Sequence, residues 1–175
     1  MRLWLQHLNE LEVPLCRAWT RSMQRRWVHR AFAVISRLGN GVFWYSLIAI
    51  LFLVDGWSGL VTGVHMLATS FVALLLYMSL KGATRRERPC HFADGIDPGA
   101  PPLDRYSFPS GHTLQAVAFT TVALYYYPRL AVILVPFTLL VATSRVALGL
   151  HYPSDVLVAT AIGLTLGVAS IMLVV

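Results

Sequence analysis

The chain has 175 residues, a formal charge of +6, 57% hydrophobic residues and only 13% charged residues. A typical soluble domain carries about 25% charged residues, so too few polar groups remain here to cover the outside of a soluble fold. The excess of Arg and Lys therefore points to anionic lipid headgroups and a phosphorylated ligand, and nucleic acid is set aside as a partner.

Residues 1–30 read as an amphipathic interfacial segment, distinct from a membrane unit spanning 31–175. Leu8, Leu11, Leu15, Trp19 and Met23 recur at helical steps, and Arg17, Arg21 and Arg25 form a second ladder. Such a helix suits the plane of a membrane surface. Pro14 lacks an N–H and is expected to divide the segment into two short helices. No uninterrupted apolar core precedes a small-residue cleavage site, so no cleavable signal is expected.

About five membrane-length helices follow, giving an all-α polytopic bundle. The expected spans are Ala31–Val54, Leu60–Leu80, Ser110–Tyr126, Leu130–Leu148 and Pro153–Val175. Each approaches the ~20 residues a bilayer requires. Asn40-Gly41 interrupts the first, and Asp55-Gly56-Trp57-Ser58-Gly59 forms a turn before the second. Residues 82–109, rich in Pro and Gly, form the one long polar loop. Cys16 and Cys90 occupy no metal-binding spacing, so zinc has no support.

Three polar strings break this apolar background. Lys81 is followed after six residues by Arg88-Pro89. Pro109-Ser110-Gly111-His112 stands where the third span begins. Ser144-Arg145 leads to His151 and Asp155. Counting crossings from Lys81 brings all three to one membrane face.

Their chemistry suits phosphoryl transfer, which needs cations on the phosphate oxygens, a nucleophile and an acid for the leaving group. Lys81, Arg88 and Arg145 supply the cations. Ser110 is a natural N-cap, and Gly111 lets the first free N–H groups of a helix approach an anion. His112 in that first turn suits a general acid. His151 suits a nucleophile, with Asp155 orienting its other nitrogen. Arg85 and Arg86 read as juxtamembrane charges facing headgroups. His65 reads as a hydrogen-bonded structural histidine and His91 as a solvated loop residue.

These strings, in this order and without a substitution, resemble the signature of the type 2 phosphatidic acid phosphatases. That superfamily also includes bacterial acid phosphatases and vanadium haloperoxidases. The resemblance covers roughly residues 60–170. It implies phosphate binding by Lys81, Arg88, Arg145, Ser110 and the Gly111 backbone. It further implies protonation of the leaving group by His112, attack by His151 supported by Asp155, and no metal or other cofactor. Integral-membrane members commonly have six spans, one more than is counted here.

A bacterial inner-membrane lipid phosphatase is the expectation. Undecaprenyl diphosphate, phosphatidylglycerol phosphate, phosphatidic acid or a lipid A-like phosphate would be its substrate. A haloperoxidase and a non-enzymatic lipid binder are the alternatives. Membrane burial and the absence of a soluble surface argue against the first, and the second has no need of an acid and a nucleophile. The resemblance places the site on the periplasmic face. The Arg residues at 17, 21, 25, 26 and 30 pull the other way under the positive-inside rule.

Overall fold

The computed structural model describes residues 2–22, 25–96, 98–102 and 104–174. Met23 of the N-terminal stripe and Val175 of the last span lie outside them. Every regular element among the described residues is helical: α1 (Arg2–Ser22), α2 (Arg26–Arg37), α3 (Phe43–Thr84), α4 (Pro89–Phe92), α5 (Gly111–Tyr126), α6 (Ala131–Ala147) and α7 (Pro153–Val174). A wide π-type turn, Leu38–Val42, links α2 to α3, and a short 3₁₀ turn, Pro128–Leu130, leads into α6.

Among the described residues three stretches are long and apolar enough to cross a membrane: Arg26–Phe92, Pro128–Ala147 and Pro153–Val174. The first folds on itself. Gly56 takes φ +54°, a left-handed conformation that breaks α3 into arms of residues 43–55 and 57–84. The arms pack closely enough that a Cβ at Gly59 would lie 2.0 Å from the Leu51 carbonyl oxygen. Trp44 and Leu51 from one arm and Met66 from the other share one buried cluster with Phe119, Val122, Leu134 and Val141. The expected turn at residues 55–59 is thus a helical hairpin.

α5 has 16 residues, roughly 24 Å at 1.5 Å per residue, so it falls short of a typical apolar core. It lies at the centre of the bundle, against α3, α6 and α7. Gly163 and Gly167 on α7 permit its closest contact: a Cβ at Gly163 would lie 2.8 Å from the Leu114 carbonyl oxygen, and one at Gly167 would lie 2.6 Å from Thr121. Small residues four apart are the usual means of bringing two helices together where water supplies no driving force. Inside the bundle Thr120 and Thr138 share a hydrogen bond of 2.6 Å. His65 is held by the Tyr126 hydroxyl and Ser170 Oγ, each at 3.0 Å, which is the structural role expected for it.

The outer surface is apolar. Leu53, Val54, Trp57, Val132, Leu157 and Leu173 are all strongly exposed, as they are where lipid rather than water is the surrounding medium. The fold is that of a membrane protein.

Two expectations are corrected at the N-terminus. Pro14 does not split the segment, because α1 runs through it unbroken. Arg86 does not face headgroups; it is 2% exposed and buried in an ion-pair network. Helix α1 turns Asn9, Glu12, Val13 and Cys16 inward, while Leu11, Leu15 and Trp19 of its apolar stripe face outward. Cys16 and Cys90 are both free thiols.

Candidate active site

The three strings meet at one end of the bundle because four helix ends meet there. Lys81 closes the second arm of α3, His112 opens α5, Arg145 closes α6, and Asp155 lies in the first turn of α7. The chain must leave α6 and re-enter at α7 within a few residues. The turn is held by the Arg145 carbonyl, which accepts from the N–H groups of Leu150 and His151, each at 3.1 Å. Pro153 then starts α7, since its fixed φ and missing N–H suit a first helical position.

A cavity of about 590 Å³ lies between these helices, lined at its polar end by Lys81, Arg88, Asp104, His112, Arg145 and His151. Gly111 lines it too, but Ser110 and Asp155 do not: both are fully buried behind its wall. Ser110 occupies the N-cap position, yet its Oγ pairs with Thr113 Oγ1 at 3.0 Å rather than with the helix backbone. From the polar end the cavity runs past Gln115 and Phe119 to Tyr45 and Met78, which are 60% and 58% exposed on the bundle's side. It is therefore cationic at one end and reaches the lipid-facing surface at the other.

The cations are not idle. Lys81 Nζ donates to Asp104 Oδ1 at 2.7 Å, to Oδ2 at 2.8 Å and to the Tyr106 carbonyl at 3.0 Å. Arg88 donates to Asp104 Oδ1 at 2.8 Å and to the Leu150 carbonyl at 2.6 Å. Arg145 donates to Ser36 Oγ, while its Nε is buried and without a hydrogen-bond partner among the described residues. Asp104 thus sits between two of the three cations. Burial pushes its carboxyl up, but the hydrogen bonds and charges of Lys81 and Arg88 outweigh this and hold it below the ordinary carboxylate range.

His151 is 1% exposed, and its protonation can be read from its neighbours. Arg88 stands 3.1 Å from Nε2 and can only donate, so Nε2 is the unprotonated nitrogen and its lone pair accepts from Arg88 at the cavity wall. The ring proton is then on Nδ1, facing Asp155 Oδ2 at 3.6 Å. That distance exceeds a hydrogen bond, and the contact is an ion pair only when the imidazole is protonated. Burial first, then the charges of Arg88, Arg145 and Lys81, push the imidazole well below its ordinary pKa. His151 is therefore neutral at pH 7.

Asp155 is fixed from other directions. Its Oδ2 accepts the Tyr152 N–H at 3.0 Å, and its Oδ1 accepts from Arg86 at 2.6 Å. Sequence reasoning missed Arg86, Glu12, Ser36 and Asp104. Asp104 is one acid among Asp94, Asp97 and Asp104 in the polar loop, and nothing in their spacing separates them. Ser36 carries no pattern at all. Among the described residues no group of His, Cys, Asp and Glu side chains could hold a metal ion.

A helical membrane bundle with a cationic cavity carrying two histidines at one end defines the class. The match to the PAP2 superfamily covers residues 62–175, and the chain belongs to that family. It is 38% identical over 102 residues to a decaprenylphosphoryl-5-phosphoribose phosphatase of Mycobacterium tuberculosis, covering 57% of this chain and 54% of that protein. It is 34% identical over 105 residues to a lipid A 1-phosphatase of Rhizobium etli, covering 58% of this chain and 45% of that protein. The chain thus spans about half the length of the curated relatives it matches. Among solved structures, LpxE of Aquifex aeolicus superimposes with a TM-score of 0.81 at 24% identity, over 93% of this chain and 95% of that one, a likeness of fold. A PAP2-type phosphatidylglycerolphosphate phosphatase of Bacillus subtilis gives 0.64 at 25% identity, over 96% and 92%.

Proposed function

We propose that this chain is a lipid phosphate phosphatase that hydrolyses the phosphomonoester or diphosphate of a bacterial membrane lipid. Undecaprenyl diphosphate, phosphatidylglycerol phosphate, phosphatidic acid and a lipid A-like phosphate are the substrates to test. One observation carries the reading: a single cavity joins three cations and two imidazoles to exposed apolar side chains on the bundle's side. A phosphate headgroup suits the first end and a lipid tail the second. The Mycobacterium and Rhizobium relatives, a decaprenylphosphoryl-5-phosphoribose phosphatase and a lipid A 1-phosphatase, support the same class.

In this reading Lys81, Arg88 and Arg145 bind the phosphate oxygens, with the Gly111 backbone and Ser110 shaping the helix end beneath them. The unpartnered Nε of Arg145 is a donor available to such an oxygen. His151 Nε2 attacks phosphorus, and the P–O bond to the lipid breaks as His112 donates a proton to the leaving oxygen. His112 then takes a proton from water, which attacks the phosphohistidine. The P–N bond breaks and inorganic phosphate leaves. Asp155 faces the Nδ1 proton and stabilises the charge that develops on the ring. The three cations supply the charge a divalent metal would otherwise provide, so no metal ion or other cofactor is required.

The protein is placed in the bacterial inner membrane with its site on the periplasmic face. A reporter fused to the C-terminus then lies in the cytoplasm; a periplasmic reporter would reverse the orientation. For the chemistry, purified protein should release inorganic phosphate from a lipid phosphate. His151→Ala should lower that release by about 1,000-fold or more, as loss of a nucleophile does. Release that persists in the variant would remove His151 from the role.

A further inference from the structure

The network behind His151 reaches a residue on the N-terminal helix, outside all three polar strings and outside the family match at 62–175. Glu12, Arg86 and Asp155 are 8%, 2% and 0% exposed. The Arg86 guanidinium donates to Glu12 Oε2 at 2.6 Å, Asp155 Oδ1 at 2.6 Å, Ser154 Oγ at 2.7 Å and Asn9 Oδ1 at 2.8 Å. Its plane lies 4.0 Å from the Tyr152 ring centroid. Glu12 also accepts the Ser154 N–H at 2.8 Å and the Ser154 hydroxyl at 2.7 Å, beside Asp155 in the first turn of α7.

We propose that Glu12 is a positioning residue for the hydrolysis: by pairing with Arg86 it leaves the Asp155 charge available to His151. The proposal rests on the reading of His151 as nucleophile. One cation stands between two carboxylates, so the buried triad carries one net negative charge. As Nε2 bonds to phosphorus, positive charge develops on the ring and its Nδ1 proton faces Asp155. The cations Lys81, Arg88 and Arg145 also face His151, together with His112, the proton donor of the reaction. Among the described residues Asp104 is the anion whose charge reaches His151 from that side, and it is occupied by Lys81 and Arg88. The counter-charge for the ring must therefore come from Asp155. Without the Glu12 charge, Arg86 would pair with Asp155 alone, the cluster would be neutral, and this counter-charge would be largely cancelled.

The test uses the full chain and a lipid phosphate that the wild type hydrolyses. Glu12→Gln keeps the shape and removes the charge. It should lower kcat by about 10-fold or more, the range over which charge partners of a reacting group act. KM and inhibition by inorganic phosphate should stay within about twofold, because the cavity cations are untouched. The acid limb of kcat/KM should move to lower pH by about half a unit, since a nearby anion favours imidazolium and its loss does the reverse. Glu12→Asp should restore most of kcat. An unchanged kcat would overturn the proposal. So would a joint loss of kcat, substrate binding and phosphate inhibition with no pH displacement, which marks a purely structural residue.

If Glu12→Gln does not purify folded, Ser154→Ala carries the test. It removes the hydroxyl joining Glu12 to Arg86 without stranding a charge. A kcat loss of about threefold with unchanged phosphate inhibition supports the proposal, and unchanged kcat overturns it. A wild type inactive on every lipid phosphate overturns the functional reading and this proposal with it. An active wild type matched by Glu12→Gln overturns this proposal alone.

Discussion

Asp104→Asn should tighten the binding of inorganic phosphate and vanadate. The carboxylate holds Lys81 at 2.7 and 2.8 Å and Arg88 at 2.8 Å, so an incoming phosphate must take donors that are already engaged. The side chain is 41% exposed, which sets each contact near the weak end of the charge-assisted range. Together these contacts contribute about 1–2 kcal/mol that phosphate must offset, or roughly 5- to 30-fold in affinity. Asparagine keeps the size and one acceptor but loses the charge. The assay is competitive inhibition of lipid phosphate hydrolysis by phosphate and by vanadate, comparing inhibition constants for wild type and variant. Because Lys81 and Arg88 hold the carboxyl below its ordinary value of 3.8, it is ionised throughout the neutral range. A depressed pKa makes the ion pair complete above that ordinary value and lost as pH falls through the lowered one. The difference between the proteins should accordingly persist from about pH 8 to 5 and vanish only in stronger acid. An unchanged or raised inhibition constant in Asp104→Asn would refute the reasoning and make Asp104 a helper of the site rather than a competitor.

Three further outcomes test the site and its scaffold. His151 has its pKa held well below 6.5 by burial and by Arg88, Arg145 and Lys81, so it takes up no proton until pH falls well under 6.5. The acid limb of kcat/KM due to this residue should lie well below 6.5, after allowance for the substrate's own ionisation near 6. The unfolded chain binds that proton first, so the melting temperature in detergent should be fully retained above 6.5 and should fall as pH is lowered beneath it. Gly163→Val should destabilise the bundle by about 1–3 kcal/mol, because its Cβ would stand 2.8 Å from the Leu114 carbonyl oxygen. Gly82→Ala, with nothing within 4 Å of its Cβ, is the control and should melt like wild type. Equal melting of the two variants would mean that the α5–α7 contact is not close-packed.

The sequence alone determined the elements and the composition of the site. Apolar runs of membrane length can only be satisfied as helices in lipid, because every backbone polar group must be paired within its own segment. Glycine and proline mark where those runs must turn, which is why the Gly56 hairpin and the Pro153 start of α7 were legible. The three strings were legible because a phosphate site needs unusual side chains, and in an oily chain such residues stand out. Their gathering at one membrane face followed from the parity of the crossings.

Tertiary structure alone decided who touches whom. Arg85 and Arg86 are adjacent in sequence, yet one is exposed and the other lies under Tyr152 between two carboxylates. That outcome depends on α1 docking through Asn9 and Glu12, some 74 residues away in sequence from Arg86. α1 continues through Pro14 because the cost of about 3 kcal/mol for proline in a helix interior is offset by docking along one face, through the hydrogen bonds of Asn9 and Glu12 and the burial of Val13 and Cys16. Asp104 reached Lys81 and Arg88 from a loop whose acids are indistinguishable in sequence. Long-range ion pairs of this kind leave no periodic trace, since a charge finds its partner through the packing of helices and not through spacing along the chain.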